Sequence, residues 1–253
     1  MTTSRTASMT SSSTGWRASA ATVPIVALDV PNTESALMIV SHMGDLCRFY
    51  KVAGELFTGA GPAVVQSLVD HGSRVFLDLK FHDIPNTVRG AARSAARIGA
   101  SIISVHATGG RRMMQAAVEG AAQGARDGKP PEVFAVTVLT SLDAQMIGEA
   151  WGRARVNVRD EVLRLADAAR ASGVSGIVCG GEEAADVRAQ YGDSLKLLVP
   201  GVRLSGSSSN DQVRVVTPRE AAAAGASYIV VGRTVTAAPA VRDAMRQVMA
   251  EIS

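Results

Sequence analysis

The sequence predicts a single-domain (β/α)8 barrel, the TIM barrel, over residues 23–253, and three observations lead to this fold class. Short apolar runs alternate with stretches of helical period from Val23 onward, which is typical of strands joined by helices. Because the runs are apolar at successive positions, both faces of each strand are expected to be covered, as in a parallel sheet. Eight such units fill about 230 residues, close to the roughly 250 that this barrel usually takes.

The predicted elements follow one another in a regular order. The candidate strands are VPIVALDV from residue 23, CRFYKVA from 47, RVFLDLK from 74, SIISVHA from 101, EVFAVTVLT from 132, GIVCGG from 176, LKLLVPGV from 195 and YIVVGR from 228. The candidate helices between them include TESALMIVSHMG from 33, TVRGAARSAARIG from 87, RRMMQAAVEGAAQGA from 111, RDEVLRLADAARASG from 159 and EEAADVRAQYG from 182. Several end at a glycine, as helices often do. An open doubly wound sheet is the alternative, but no GxGxxG motif follows the first strand.

Residues 1–22 differ from the rest of the chain in composition. They contain twelve Ser or Thr, two Arg and no acidic residue. Such a segment buries too little apolar surface to order itself, so we expect a disordered Ser/Thr-rich tail. An acid-free, hydroxyl-rich start is also typical of organelle transit peptides, and this alternative stays open.

Charge and cysteine content exclude several classes of protein. The formal charge is +3, and Arg5 and Arg17 of the tail supply two of these charges, so a nucleic-acid surface is not expected. No run of 18 apolar residues is present, so no membrane span is expected. Cys47 and Cys179 stand alone in strand-like surroundings, which favours buried thiols in a reducing compartment and a cytoplasmic location.

Polar residues collect where the candidate strands end. They are Asp29, Lys51, Asp78, Lys80, His106, Thr140, Ser141, Arg203 and Arg233. Active sites of this barrel lie at the C-terminal ends of its strands. The recurrence of polar residues at that level therefore predicts an active site there.

The stretch FLDLKFHDIPNTV, residues 76 to 88, carries the densest group of charges. Side chains alternate between the two faces of a strand, so Asp78 and Lys80 are expected to point the same way. A simple ion pair between two buried charges would explain the two residues alone. Because Lys51 is expected at the same level and Asp83 follows on the turn, we predict an alternating array of lysines and aspartates facing a substrate.

The last two loops predict what the substrate carries. VPGVR supplies Gly201 and Arg203, and VVGR supplies Gly232 and Arg233. These are the loops on which such barrels often bind phosphate, and Arg offers a fork of donors to its oxygens. Each Arg alone would be interpreted as a surface residue, but the joint placement favours a phosphate site. The polar segment SGSSSNDQVRVVTP between the loops is a candidate flap over the ligand.

Taken together, these motifs resemble the orotidine 5'-phosphate decarboxylase family. The resemblance is carried by ALDV, YKVAGELF, DLKFHDIPNTV, VTVLTS, VPGVR, DQVRVVTP and VVGR, and it covers residues 23 to about 240. The DxKxxD core alone is shared with sugar-phosphate decarboxylases and hexulose phosphate synthases of the same barrel group. The continuation IPNT and the segment DQVRVVTP are specific to the orotidylate branch.

The resemblance implies decarboxylation of orotidine 5'-monophosphate to UMP in pyrimidine biosynthesis, with no cofactor and no metal. It implies that the catalytic residues are Lys80, Asp78, Lys51 and Asp83. Lys80 would protonate carbon 6 of the pyrimidine, and Asp78 would lie beside the departing carboxylate. It also implies that the substrate is bound by Asp29, Lys51, Thr87, Thr140, Ser141, Pro200, Arg203, Gln212, Gly232 and Arg233. It also implies a homodimer in which Asp83 and Thr87 reach the neighbouring site.

Two other functions remain as alternatives. A magnesium-dependent 3-keto-sugar-phosphate decarboxylase or hexulose phosphate synthase would share the DxKxxD core and lose activity with a chelator. A non-catalytic phosphate-ligand sensor would bind nucleotide without turnover, which an intact array around Lys80 disfavours. His106 is interpreted as a packed or hydrogen-bonded residue rather than a catalytic one, and no role is assigned to His82.

Overall fold

A computed structural model describes residues 21–205 and 215–253 of the chain. Its eight strands are parallel and close into a barrel in sequence order, which confirms the predicted fold class. The strands are β1 (Val23–Ala27), β2 (Phe49–Ala53), β3 (Arg74–Phe81), β4 (Ile102–His106), β5 (Glu132–Val136), β6 (Gly176–Val178), β7 (Lys196–Val202) and β8 (Tyr228–Val231). Most of the predicted tail, residues 1–20, and the centre of the predicted flap, residues 206–214, lie outside the described residues.

Helices cover the outside of the barrel. They are α1 (Thr33–Met43), α2 (Gly54–Ala60), α3 (Ala63–Asp70), α4 (Pro85–Arg97), α5 (Arg111–Gln123), α6 (Ala144–Trp151), α7 (Val158–Arg170), α8 (Gly181–Tyr191), α9 (Pro218–Ala223), α10 (Arg233–Thr236) and α11 (Val241–Ile252). The five helices predicted by name are α1, α4, α5, α7 and α8. Short helices such as α2 give little periodic signal in the sequence, because seven residues make only about two turns. No helix in the described ranges has the length and hydropathy needed to cross a bilayer.

The N-terminal end of the barrel is closed by packed aromatic rings. The ring of Tyr228 meets those of Phe49 and Phe134 edge to face, with centroids 5.9 and 5.8 Å apart. The Tyr228 hydroxyl donates to the carboxylate of Glu132 at 3.3 Å, and that carboxylate also pairs with Lys196 at 2.7 Å. The polar residues predicted for the site lie at the opposite, C-terminal end.

Five strands, β1, β4, β5, β6 and β8, end earlier than the sequence predicts. Asp29 lies two residues beyond β1, Thr140 and Ser141 lie in a turn after β5, and Arg233 is the first residue of α10. Apolar residues continue past these strand ends because the loops also pack against the core, as buried Leu28 does. The apolar run therefore exceeds the hydrogen-bonded strand, while the polar residues still lie at the C-terminal rim.

Two strands bulge at this rim. The β3–β4 register shifts between Leu77 and Phe81, and the β7–β8 register shifts between Val199 and Val202. Bulges are common next to active sites, where they re-aim side chains. Both lie at the end of the barrel where the sequence predicts substrate.

Candidate active site

A cavity of about 260 Å³ opens at the C-terminal end of the barrel. Ten of the thirteen residues predicted to bind substrate or to act in catalysis line it: Asp29, Lys51, Asp78, Lys80, Thr140, Ser141, Pro200, Arg203, Gly232 and Arg233. They come from the ends of β1, β2, β3, β5, β7 and β8. The closed barrel brings together residues that are up to about 200 positions apart in sequence.

An alternating row of four charges lies along one side of the cavity. Lys51 Nζ lies 2.7 Å from Asp29 Oδ1 and 4.0 Å from Asp78 Oδ2. Lys80 Nζ lies 2.8 Å from the same Asp78 oxygen. The charge array is therefore Asp29, Lys51, Asp78 and Lys80, and each charge has a neighbour of opposite sign.

Exposure varies along the charge array. The side chains of Lys51 and Asp78 are 11 and 10% exposed, whereas that of Lys80 is 34% exposed. Buried charges are tolerated when they are paired, and Asp78 has a lysine on either side. Asp78 therefore forms part of the wall, and the ammonium of Lys80 is the more accessible group.

Asp83 and Thr87 do not join this array within their own chain. Of the residues that the structure describes, neither lines the cavity, and both are exposed. The Asp83 carboxylate accepts the backbone N–H of Ile84 at 2.6 Å. The sequence predicts Asp83 as the second aspartate of the array, next to Lys80. Within one chain the second aspartate is instead Asp29, which pairs with Lys51 at the other end of the row, and Asp83 lies beyond the end of β3.

The opposite side of the cavity carries two arginines. Arg203 follows β7 and donates from Nη1 to the carbonyl of Val202 at 3.0 Å, and Arg233 begins α10. Gly201 has a φ of 72°, a left-handed conformation that glycine adopts without strain, and it forms the β7 bulge. Near Gly232, a side chain would meet only the Cβ of Ala27, at 3.9 Å, so its backbone stays open to the cavity. Gln212, the remaining predicted ligand, lies outside the described residues.

Sequence reasoning missed the apolar part of the wall. It is formed by Ala27, Phe76, Val136, Val138, Leu139, Val178, Leu198 and Val230. The signal was present, because Phe76 precedes Asp78 by two positions and so shares its face of the strand. Apolar residues beside the charge array lower the local dielectric constant, and electrostatic interactions are stronger in such surroundings.

Ser104 is a second residue that sequence reasoning missed. It lies in β4, is fully buried, and its hydroxyl contacts both Asp78 and the backbone of Lys80. The signal was a single hydroxyl inside the otherwise apolar run IISV. Ser104 precedes the end of β4 by two residues, so the pattern of polar residues at strand ends does not include it.

Two imidazoles stack beside the charge array. The ring centroids of His82 and His106 are 5.3 Å apart, with planes at 35°. Burial lowers the pKa of His106, and the neighbouring His82 and Lys80 lower it further, while Asp78 opposes the shift. The interpretation of His106 as a packed residue is compatible with a neutral ring.

This lowered pKa predicts how stability depends on pH. The folded state resists protonation of His106, whereas an unfolded histidine titrates near 6.5, so the unfolded chain binds more protons below that pH. The contribution of His106 to stability is therefore complete above pH 6.5 and is lost as pH falls through the lower, folded-state pKa. We expect His106→Gln to flatten the fall in the free energy of unfolding between pH 7.5 and 5.5, measured by urea titration. His71→Gln, which removes an exposed imidazole, is the matched control, and an unchanged slope in the His106 variant would contradict the prediction.

Carboxylates in the cavity meet lysines rather than one another. Within residues 21–205 and 215–253, no three His, Cys, Asp or Glu side chains come together in a way that could hold a metal ion. The ammonium of Lys51 lies between Asp29 and Asp78. These side chains therefore present paired, fixed charges to the cavity.

Comparison with known proteins gives one consistent family. The model described as "Orotidine 5'-phosphate decarboxylase / HUMPS family" matches residues 22–248. Curated relatives named orotidine 5'-phosphate decarboxylase include one from Nitrosococcus oceani, 46% identical over 90% of this chain and 97% of its own length. Another, from Moorella thermoacetica, is 45% identical over 90% of this chain and 91% of its own.

Solved structures agree with these relatives. The crystal structure of orotidine 5'-phosphate decarboxylase from Lactobacillus acidophilus superimposes with a TM-score of 0.82 at 36% identity. That match covers 92% of this chain and all of the other. The similarity therefore extends over the whole barrel and includes every strand that contributes to the cavity.

Proposed function

Since the chain belongs to the orotidine 5'-phosphate decarboxylase / HUMPS family, we propose that it is a carboxy-lyase converting orotidine 5'-monophosphate to UMP and carbon dioxide in pyrimidine biosynthesis. The observation that carries the proposal is the pairing of two features in one cavity. The charge array of Asp29, Lys51, Asp78 and Lys80 lies on one side, and Arg203 and Arg233 lie on the loops after β7 and β8. A nucleotide carries a reactive base at one end and a phosphate at the other, which fits this division.

The reaction needs a cation where negative charge develops. When the bond between carbon 6 and the carboxylate breaks, its electron pair stays in an orbital in the ring plane, where the ring carbonyls cannot delocalise it. A preorganised ammonium stabilises such charge without reorganising at the moment of reaction. Lys80, held 2.8 Å from Asp78, supplies that cation and gives its proton to carbon 6.

The remaining residues position the substrate in this proposal. Asp29 and Lys51 hold the ribose hydroxyls, and Thr140 and Ser141 contact the base. Pro200 lines the cavity next to the bulge at Gly201, and Arg203, Gln212, Gly232 and Arg233 hold the phosphate. Binding energy from the phosphate, far from carbon 6, is then available to close the site and to remove water from the substrate carboxylate.

We further propose that the active form is a homodimer joined at the barrel mouth. Residues 82–87 are all exposed, and Ile84 is 66% exposed beside Pro85. A second barrel covering this segment would bury Ile84 and bring its own Asp83 and Thr87 towards the neighbouring cavity. The buried free thiols of Cys47 and Cys179 support the expectation of a reducing, cytoplasmic location.

The proposed function is tested by adding orotidine 5'-monophosphate in the presence of EDTA and following the ultraviolet absorbance of the pyrimidine. Conversion to UMP at a rate unaffected by EDTA is the expected result. Activity that requires magnesium and a 3-keto sugar phosphate would instead favour the alternative barrel enzymes. Tight binding of the nucleotide without turnover would favour the sensor.

The position of Arg233 predicts a selective loss of affinity. Arg233→Ala should weaken binding of UMP far more than binding of uridine, because only the nucleotide loses a charge-assisted hydrogen bond of about 1.5 to 3 kcal/mol. Both affinities are measured by calorimetry. Arg219→Ala, an exposed arginine of α9 that does not line the cavity, is the matched control. Equal losses for the two ligands would show that Arg233 does not touch phosphate.

A further inference from the structure

The β3–β4 bulge places three residues of one strand against one residue of the other. Leu77 pairs with Ile103, and the next registered pair is Phe81 with Val105. Between these pairs, residues 78–80 of β3 lie opposite Ser104 alone. The regular pairing of β3 with β4 is therefore interrupted at Asp78 and Lys80. The proposed function assigns catalysis to these two residues.

The hydroxyl of Ser104 bridges this interruption. It donates to Asp78 Oδ1 at 2.8 Å and accepts the backbone N–H of Lys80 at 2.9 Å. Ser104 is fully buried, so water does not replace either contact. A hydroxyl is both donor and acceptor, and one small side chain therefore fixes two groups at once.

The contact with the Lys80 N–H fixes the backbone from which the Lys80 side chain leaves. Lys80 has a φ of 49°, a left-handed conformation that is uncommon for residues other than glycine. Such a conformation persists when the surroundings determine it, and here the hydrogen bond to Ser104 does so. It also satisfies an N–H that the bulge has removed from the regular ladder.

The contact with Asp78 Oδ1 fixes which oxygen of Asp78 faces the lysines. Ser104 holds Oδ1, which leaves Oδ2 for Lys80 at 2.8 Å and for Lys51 at 4.0 Å. Rotation of the carboxylate would break its bond to Ser104 or its bond to Lys80. The carboxylate and the ammonium are therefore oriented by the same buried hydroxyl.

We propose that Ser104 is a positioning residue for decarboxylation: its hydroxyl sets the orientation of the Asp78 carboxylate and the left-handed backbone that aims the Lys80 ammonium at the substrate. The expected effect of Ser104 on turnover rests on the proposed function. Its expected effect on the orientation of Asp78 and Lys80 does not. Ser104 itself lies behind the charge array and acts through Asp78 and Lys80.

The kinetic test compares two substitutions of nearly equal shape. Ser104→Thr keeps the hydroxyl, whereas Ser104→Val replaces it with a methyl group. We expect the Val variant to have a kcat about 10- to 100-fold below that of the Thr variant, since it loses a hydrogen bond to a charged group and the alignment that follows from it. The affinity for UMP should be similar in both, because the phosphate contacts are unchanged. Equal kcat values in the two variants would overturn the inference.

A control separates positioning from general stability. Thr137 is a buried residue after β5 whose hydroxyl donates to the carbonyl of Val178 at 2.8 Å, away from the charge array. Thr137→Val should lower the free energy of unfolding and leave kcat unchanged. If the Thr137 and Ser104 valine variants lose kcat equally, Ser104 has no specific role.

Crystal structures of the Ser104 variants decide the geometric part independently of turnover. In the Val variant we expect the Asp78 carboxylate to rotate or the Lys80 backbone to leave its left-handed conformation, and in the Thr variant we expect both to remain. An unchanged arrangement in the Val variant would overturn the inference. If wild-type protein fails to convert orotidine 5'-monophosphate, the proposed function fails, and these structures still decide whether Ser104 positions the two groups.

Discussion

Lys80→Ala is expected to lower the decarboxylation rate by at least about 10³-fold while leaving the barrel folded. Removing one preorganised electrostatic group typically costs about 10²- to 10³-fold, and this residue is also the proposed proton donor. The ammonium lies in the cavity wall within 2.8 Å of Asp78, so no solvent cation replaces it in the same geometry. Initial rates with orotidine 5'-monophosphate, together with circular dichroism of the variant, measure both parts of the expectation.

A matched control for Lys80→Ala is available at the other end of the barrel. Lys196 also forms a short ion pair, 2.7 Å from Glu132, but it lies at the start of β7, away from the cavity. Lys196→Ala should affect stability and not kcat. Near-normal turnover in a folded Lys80→Ala variant would remove Lys80 from the chemistry.

The fold could be predicted from sequence because its signal repeats. Each βα unit contributes an apolar run and a helical period, so an error at one boundary does not change the number of strands. The end of the barrel that carries the candidate site was predictable for the same reason, because polar residues recur at the C-terminal ends of the strands. Boundaries were less certain, as at Thr140, where buried Val138 extends the apolar run beyond the end of β5.

The contacts within the site were harder to predict, since they depend on irregular backbone. Alternation along β3 predicts that Asp78 and Lys80 share a face, and their side chains do meet at 2.8 Å. However, the strand bulges there and Lys80 has a left-handed backbone, so the regular rule does not describe how the contact arises. Ser104, which supports this geometry from β4, could not be linked to β3 without the register.

Asp83 shows a different limit of sequence reasoning. Five positions separate it from Asp78, and that spacing alone does not decide whether its carboxylate faces its own cavity or a neighbouring chain. The structure has it exposed, with the carboxylate turned to the backbone N–H of Ile84. Since Asp83 does not line its own cavity, any part it has in catalysis must be exerted in another chain or after a rearrangement of its loop.

Mixing two inactive variants should distinguish these cases. In a twofold-symmetric dimer the same surface is used by both chains, so each would lend its Asp83 to the other's site. We expect Asp83→Asn and Lys80→Ala chains to be nearly inactive alone and to regain activity when mixed and allowed to exchange. A mixed dimer then has one site with both defects and one with neither. With equal amounts and random pairing, half of the dimers are mixed, so activity should return to about a quarter of the wild-type value.

Asn is the suitable replacement because its side-chain oxygen can still accept the N–H of Ile84, which keeps the local turn while removing the charge. Subunit exchange is confirmed by native mass spectrometry of chains that differ in mass. If each chain builds its site entirely from its own residues, every site in a mixed dimer keeps one defect and mixing restores nothing. Exchange without recovery would therefore refute the shared site, while conversion of orotidine 5'-monophosphate by the wild-type protein would still support the decarboxylase.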